Sequence, residues 1–254
     1  MTIIISGGGL NFSGGGISIE SSAGPSYGSV LLNGTTQYLG LSGQSQFAFG
    51  TNPFTIEFFV NLNSFADVPL IIDFRPFSTN GAYVTAGLDS SGNFYFVNNN
   101  TIVVTASTAI TTNTWNHLVA CRTGGITTLY VNGVAAGSVS DAVNYLIGAG
   151  SPLIGVNAYN PPATTNYFGG YLSNLRIVNG VGVYTGNFTV PTGPLSATQS
   201  ANPFGGSNTA AITGTETALL LNTYSGAGFL TDGSTNSFTV TNVNGAISSS
   251  TAPF

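Results

Sequence analysis

Residues Thr114–Val134 read TWNHLVACRTGGITTLYVNGV, and the reading of this stretch decides the fold. It opens with an alternation. Trp115, His117, Val119 and Cys121 fall on one side of an extended chain, and Asn116, Leu118, Ala120 and Arg122 on the other. Gly124-Gly125 interrupts the run, and a second β-type segment, Thr127 to Val131, runs into Asn132-Gly133. An Asn-Gly pair between β-rich segments signals a hairpin, because both residues accept the positive φ of a type I′ turn. Two successive hairpins are therefore expected. Both faces of the first strand are largely apolar, which suits a central strand of a layered β domain.

Upstream, Phe54 to Leu62 alternates most regularly: Phe54, Ile56, Phe58, Val60 and Leu62 face a core, and Thr55, Glu57, Phe59 and Asn61 face away. Short strands are predicted at Val30–Leu32, Pro69–Phe74, Ala82–Leu88, Phe94–Val97 and Ile102–Thr105, separated by turn clusters such as Asp89-Ser90-Ser91-Gly92. Downstream, strands are predicted at Leu153-Ile154 and Tyr171–Val178, with an aromatic, Pro-bearing loop over Asn157–Tyr167 between them. No apolar 3.6-residue period persists over three turns, so helix content should be low. Many short strands with frequent turn signals imply an antiparallel sandwich or barrel.

The composition narrows the function. Only 4% of the 254 residues are charged; lysine is absent, and the cations are Arg75, Arg122 and Arg176 against eight acids, a net charge of −5. Nothing here can neutralise a phosphate backbone, so nucleic acid is not an expected partner. Mean hydropathy is +0.30, but no run of roughly eighteen apolar residues exists to cross a bilayer as a helix. The lone Cys121 rules out an internal disulfide and reads as a buried small hydrophobe. The start, MTIIISGGGLNFSGGG, lacks a basic segment and a long apolar one, so no signal peptide is expected.

The run W-N-H-L-V-A followed by L-Y-V-N-G-V resembles laminin-G-like, concanavalin A-like jelly rolls. SVLLNGTTQYL (29–39) resembles that family's opening strand pair and NPFTIEFFVNL (52–62) its most regular strand. FGGYLSNLRIVNGVGVYTGNFTVP (168–191) resembles its closing strand, in the form found in virion proteins of tailed phages, especially phages of marine bacteria. Residues 217–254 resemble the segment that precedes such a domain in those proteins, yet here they follow it. Their end, NGAISSSTAPF, echoes GGISIESSAGPSYG near the start. The fold class implied is all-β, an antiparallel β-sandwich (concanavalin A-like jelly roll) with extended terminal arms. The expected organisation is a Gly/Ser-rich arm over 1–28, the jelly roll over 29–195, a linker over 196–216, and a strand segment over 217–254 that completes this sandwich or a neighbour's.

The chemistry is sparse. His117 is the only histidine, with no acid or cysteine near it in sequence, and reads as structural. Glycosidases on this jelly roll use paired carboxylates; Glu57 is alone in its strand, and Asp67 and Asp73 do not share a strand face, so no enzyme is expected. The resemblance implies calcium as the common cofactor, but where the family often has Asp this chain has Ser173 followed by Asn174. Asp67, Asp73, Asp89 and Asp141 are the remaining metal candidates, each also explained by turn preference. For a glycan, Tyr159, Asn160, Asn166 and Tyr167 combine aromatic faces with amides in one loop; the same loop could instead pack on a neighbouring subunit. The resemblance implies a non-enzymatic virion structural protein (head decoration, fibre or tail component), assembled in a host cytoplasm as a homo-oligomer or with other virion proteins. The competing expectation is a carbohydrate-binding adhesin for a cell-surface glycan.

Overall fold

A computed structural model describes residues 11–13, 16–18, 27–150, 152–159, 166–222 and 229–254. The strands are β1 (Asn11–Ser13), β2 (Gly16–Ser18), β3 (Ser29–Asn33), β4 (Tyr38–Gly40), β5 (Phe54–Leu62), β6 (Leu70–Asp73), β7 (Thr85–Leu88), β8 (Asn93–Asn98) and β9 (Thr101–Ala109). There follow β10 (Asn116–Thr123), β11 (Ile126–Val131), β12 (Val134–Ser140), β13 (Leu153–Ile154), β14 (Gly169–Asn179), β15 (Thr217–Leu221), β16 (Thr241–Val243) and β17 (Ile247–Ser249). One 3-10 turn, Ser45–Phe47, is the sole helical element among the described residues. β1 and β2 pair with each other; the rest form two antiparallel sheets of a sandwich.

The larger sheet runs β12-β11-β10-β5-β14-β3-β17, and the smaller β16-β4-β13-β6-β7-β8-β9. The two hairpins expected from residues 114–134 are present. Gly124 and Gly125 at φ +57° and +73°, and Asn132 and Gly133 at φ +50° and +80°, make both turns with the left-handed pairs a two-residue hairpin loop needs. The alternation of β5 also holds. Phe54, Ile56, Phe58, Val60 and Leu62 are buried between the sheets. There Phe58 meets Phe94 edge-on at 5.9 Å and Phe54 stacks near Phe96 at 6.0 Å, aromatic geometries that add to simple burial.

β14 is long because it serves two neighbours on one side. Its first half, Gly169–Leu172, pairs with β3, and its second, Leu175–Val178, pairs with β15, while β5 lies along its other side. A bulge between Ser173 and Arg176 separates the halves, with Asn174 at φ +52°. Residues 217–221 thus add to this chain's own sheet. So do the last strands: β16 pairs with β4 and β17 with β3. The crossing between them is tied down by Gln37 Nε2, which donates to the carbonyls of Asn244 (3.2 Å) and Gly245 (2.9 Å).

Residues 196–216, whose Ala/Thr/Ser content suggests a loose linker, are packed. Gln199 and Ile212 exchange backbone hydrogen bonds of 3.0 Å each, and Ile212 is buried. Composition misleads here because a few apolar anchors and satisfied backbone groups suffice to hold such a segment. Most of the Gly/Ser-rich arm expected over 1–28 lies outside the described residues.

Candidate functional site

The outer face of the larger sheet is built in rows, and the register says which residues share each row. Ile247, Leu31, Tyr171 and Asn61 are successive cross-strand partners over β17, β3, β14 and β5. The next row holds Ser173, Phe59 and His117, and the next Arg176, Glu57, Val119 and Tyr130. Val178, Thr55, Cys121 and Thr128 make the last.

The last rows are covered. The chain leaving β14 folds back so that Val183, Tyr184, Phe188 and Ile212 pack on Val119, Cys121, Tyr130 and Val178. Gly182 permits this approach: a Cβ there would stand 2.6 Å from the Arg122 carbonyl oxygen. Beneath the cover lies a buried charge cluster. Arg176 Nε donates to Glu57 Oε1 at 2.8 Å, and its Nη2 is 2.6 Å from the same oxygen. Tyr184 Oη donates to Glu57 Oε2 at 2.7 Å, and His117 Nε2 lies 3.2 Å from it. Arg176 Nη1 reaches the Ser196 carbonyl and Gln199 Oε1 of the cover. Burial alone would raise the Glu57 pKa, but the Arg176 charge, with His117 and Tyr184, outweighs it and brings it to about 2. His117 therefore does have an acidic partner, which its sequence neighbourhood does not reveal; β5 supplies it across the sheet. With Glu57 and His117 both fully enclosed, the cluster is out of reach of a substrate. Cys121 is equally enclosed, and burial pushes its thiol up to about 11.

The first row is open. It floors a cleft of about 570 Å³ lined by Asn33, Gln37, Asn61, Asn63, Asn113 and Tyr171 among others, within the roughly 300–1,000 Å³ usual for ligand pockets. Gly170 helps form it: at φ +145°, a Cβ would stand 2.4 Å from the Asn61 carbonyl oxygen, so β14 can lie this close only without a side chain. Trp115 sits beside Tyr171, with ring centroids 6.3 Å apart and planes at 50°; both rings are half-buried. The amides divide into two kinds. Asn33 is committed to its turn, its Oδ1 accepting from the backbone N–H groups of Thr35, Thr36 and Gln37, and Gln37 holds the β16–β17 crossing. Asn61, Asn63 and Asn113 make no side-chain hydrogen bond among the described residues. One aromatic ring, Tyr171, and three uncommitted amides converge on one concavity, and no carboxylate among the described residues lines it.

The loop residues singled out from sequence are placed differently. Tyr159 is half-buried, with the Arg75 guanidinium 5.3 Å from its ring centroid. Asn166 has φ +66° and donates to the carbonyls of Asp67 and Val68 at 3.2 and 3.1 Å. Tyr167 is only 5% exposed and packs with Val156, so it presents no stacking face. Asn160 lies outside the described residues. Asn61, Asn63, Asn113, Trp115 and Tyr171 were not grouped by sequence reasoning. The outward parity of Asn61 was readable, but its adjacency to Tyr171 depends on a register between strands more than a hundred residues apart.

Three of the four metal candidates are likewise engaged. Asp73 accepts from Arg75 (Nη2, 2.7 Å), Thr85 Oγ1 (3.0 Å) and the Ala158 N–H (2.9 Å). Asp141 accepts from Thr127 Oγ1 (2.6 Å) and Tyr145 Oη (3.1 Å), with Arg122 Nη1 at 3.5 Å. Asp89 accepts from Ser91, Asn93 and the Asn93 amide, and these donors outweigh burial to hold its carboxyl below the usual range. Asp67 is exposed and stands apart from these. Among the described residues no three His, Cys, Asp or Glu side chains gather to hold a metal. This donor set does not fit calcium, which wants several free oxygens on one ion.

The concanavalin A-like lectin/glucanases superfamily model matches residues 33–182. No curated protein matches at the sequence level. Among solved structures, the chain is similar to a proposed carbohydrate-binding protein from Bacteroides ovatus, with 16% identity and a TM-score of 0.50 over 85% of this chain and 62% of that one. It is also similar to the heptameric SAP-like pentraxin of Limulus polyphemus (16% identity, TM-score 0.45, 60% of this chain and 76% of that one). The CBM40 domain of the Ruminococcus gnavus IT-sialidase is a third (12% identity, TM-score 0.46, 59% and 89%). These likenesses are of fold, and the chain spans less than two thirds of the Bacteroides protein.

Proposed function

The chain belongs to the concanavalin A-like lectin/glucanases superfamily, and from that premise we propose that it is a non-enzymatic carbohydrate-binding protein whose site is the cleft at the open end of the larger sheet. The observation that carries this reading is the convergence of Tyr171, with Trp115 beside its ring, and the amides of Asn61, Asn63 and Asn113, which have no side-chain partner among the described residues. A sugar ring offers an apolar C–H face and a rim of hydroxyls that both donate and accept. Aromatic rings serve the first need and amides, with one acceptor and two donors each, the second. Binding, rather than turnover, follows from the lining: glycoside hydrolysis needs two carboxylates flanking the bond, and the cleft has none. The carbohydrate-binding description of the Bacteroides ovatus protein accords with this.

The test is binding of the whole chain to a broad glycan array, followed by titration calorimetry with any saturable hit. A hit weakened in Tyr171→Ala while the fold is kept supports the reading; a hit indifferent to Tyr171→Ala moves the site elsewhere. The virion structural role rests on the phage-type sequence run 168–191. The terminal strands it needed for joining subunits pair within this chain, so carbohydrate binding is the reading we place first. An adhesin carried on a particle would satisfy both, and mass spectrometry of purified virions would test that.

A further inference from the structure

We infer that the cleft takes a neutral glycan and discriminates against sialylated, uronic or sulfated chains, an inference that rests on the carbohydrate-binding reading of the same site. The argument begins with an inventory that covers the entire sequence. The only cationic side chains this chain can offer are Arg75, Arg122, Arg176 and His117, since it has no lysine. All four are buried: 6%, 1%, 0% and 1% exposed. All lie against buried carboxylates, Arg75 on Asp73, Arg122 on Asp141, and Arg176 and His117 together on Glu57. The arginines bond onward as well. Arg122 Nη1 donates to the Val143 carbonyl at 2.7 Å, and its guanidinium lies 4.9 Å from the Tyr145 ring centroid.

The three internal pairs consume three of the eight acids. Glu20, Asp67, Asp89, Glu216 and Asp232 remain, which accounts for the whole net charge of −5 (8 − 3 = 5). The field outside the molecule is therefore of one sign. An anionic glycan meets that field on approach. On arrival it finds no guanidinium or ammonium to replace the water stripped from its acid group. Neutral N–H donors can bond an acid group, but they bring no charge to offset its desolvation. A cationic ligand fares no better inside the cleft, because no carboxylate lines it. What remains is a neutral partner held by stacking and by amide hydrogen bonds.

The test uses the full chain and matched pairs: each neutral oligosaccharide that binds is titrated beside its sialylated or sulfated derivative at near-physiological salt. The derivative is expected to bind at least about tenfold more weakly. Asn63→Arg, which sets an exposed cation at the rim, is expected to narrow that gap. Equal or tighter binding of the acidic derivative by the unsubstituted chain overturns the inference, and so does a protein that binds acidic glycans only, while the carbohydrate-binding reading survives both. A chain that binds no glycan of either kind overturns the carbohydrate-binding reading and this inference with it.

Discussion

The two ends of the larger sheet's outer face share two strands, β5 and β14, yet they are finished in opposite ways. At one end both oxygens of the buried Glu57 are hydrogen-bonded and a flap of chain, 181–212, closes over the cluster. At the other, three amides and the Tyr171 ring face a cleft with nothing assigned to them among the described residues. Burying Glu57 and Arg176 is costly unless they are paired, and Nε and Nη2 of Arg176 both close on Glu57 Oε1. Leaving Asn61, Asn63 and Asn113 wet costs nothing, and nothing in the fold demands an amide at 61 or 63, whereas Asn113 also suits the positive φ of its turn. Stability is therefore written into the covered end and specificity into the open one. That division predicts that substitutions will separate cleanly, with large folding effects and no change in intrinsic affinity at one end, and the reverse at the other.

The sharpest break is Glu57→Gln. It leaves the Arg176 charge buried without a counter-ion, and truncating one partner of such a pair costs about 3–5 kcal/mol. The urea midpoint should fall accordingly, while the fraction still folded binds glycan as before. Replacing both partners together, Glu57→Leu with Arg176→Met, should cost far less, because no stranded charge remains. If the single and double substitutions cost the same, the pair is not what holds the covered end.

Acid should act on the covered end in the same way. Glu57 is depressed from 4.5 to about 2, so its contribution is fully present above about pH 4.5 and is lost as pH falls through about 2. The shift corresponds to roughly 3 kcal/mol. Urea midpoints measured from about pH 6 down to about pH 2 should drop over that window, and the drop should shrink in Glu57→Gln. A loss centred above pH 5 would point to some other group.

How far the sequence alone reaches differs between the two ends for the same reason. The inward and outward parity of β5, the turns at Gly124-Gly125 and Asn132-Gly133 and the burial of Cys121 are local facts, set by alternation over a few residues, and they were legible. The partners of Glu57 were not. Arg176 and His117 reach it through β14 and β10, over sequence distances no periodicity encodes. The cleft has the same character. The loop with the densest Tyr and Asn content, 157–167, was the natural choice for a glycan site. Yet its Tyr167 is packed and its Asn166 amide holds Asp67 and Val68. Composition reports which groups are present, and only the register reports which are left unpartnered.

At the open end the largest effect should come from Tyr171→Ala. Removing a stacking ring should weaken glycan binding by about 1–2 kcal/mol, roughly tenfold. The unfolding free energy from urea denaturation should fall by no more than about 1 kcal/mol, because the ring is half-exposed and its hydroxyl makes no hydrogen bond among the described residues. A large loss of stability would erase the distinction between the two ends.

The smallest effect is the most discriminating, because it compares like with like inside one cleft. Asn63→Ala removes an amide with no side-chain partner, so binding should weaken by about 1 kcal/mol, some fivefold, with stability unchanged. Asn33→Ala removes an amide that caps three backbone N–H groups, so it should lower stability by about 1–2 kcal/mol and touch affinity only through the shape of its turn. Asn113 is a poorer probe, since its φ of +57° would strain an alanine regardless of any ligand. The pair is read by calorimetry and urea denaturation side by side. If Asn63→Ala and Asn33→Ala gave the same pattern, being free of a partner would carry no functional meaning, and the cleft would be only a gap between strands.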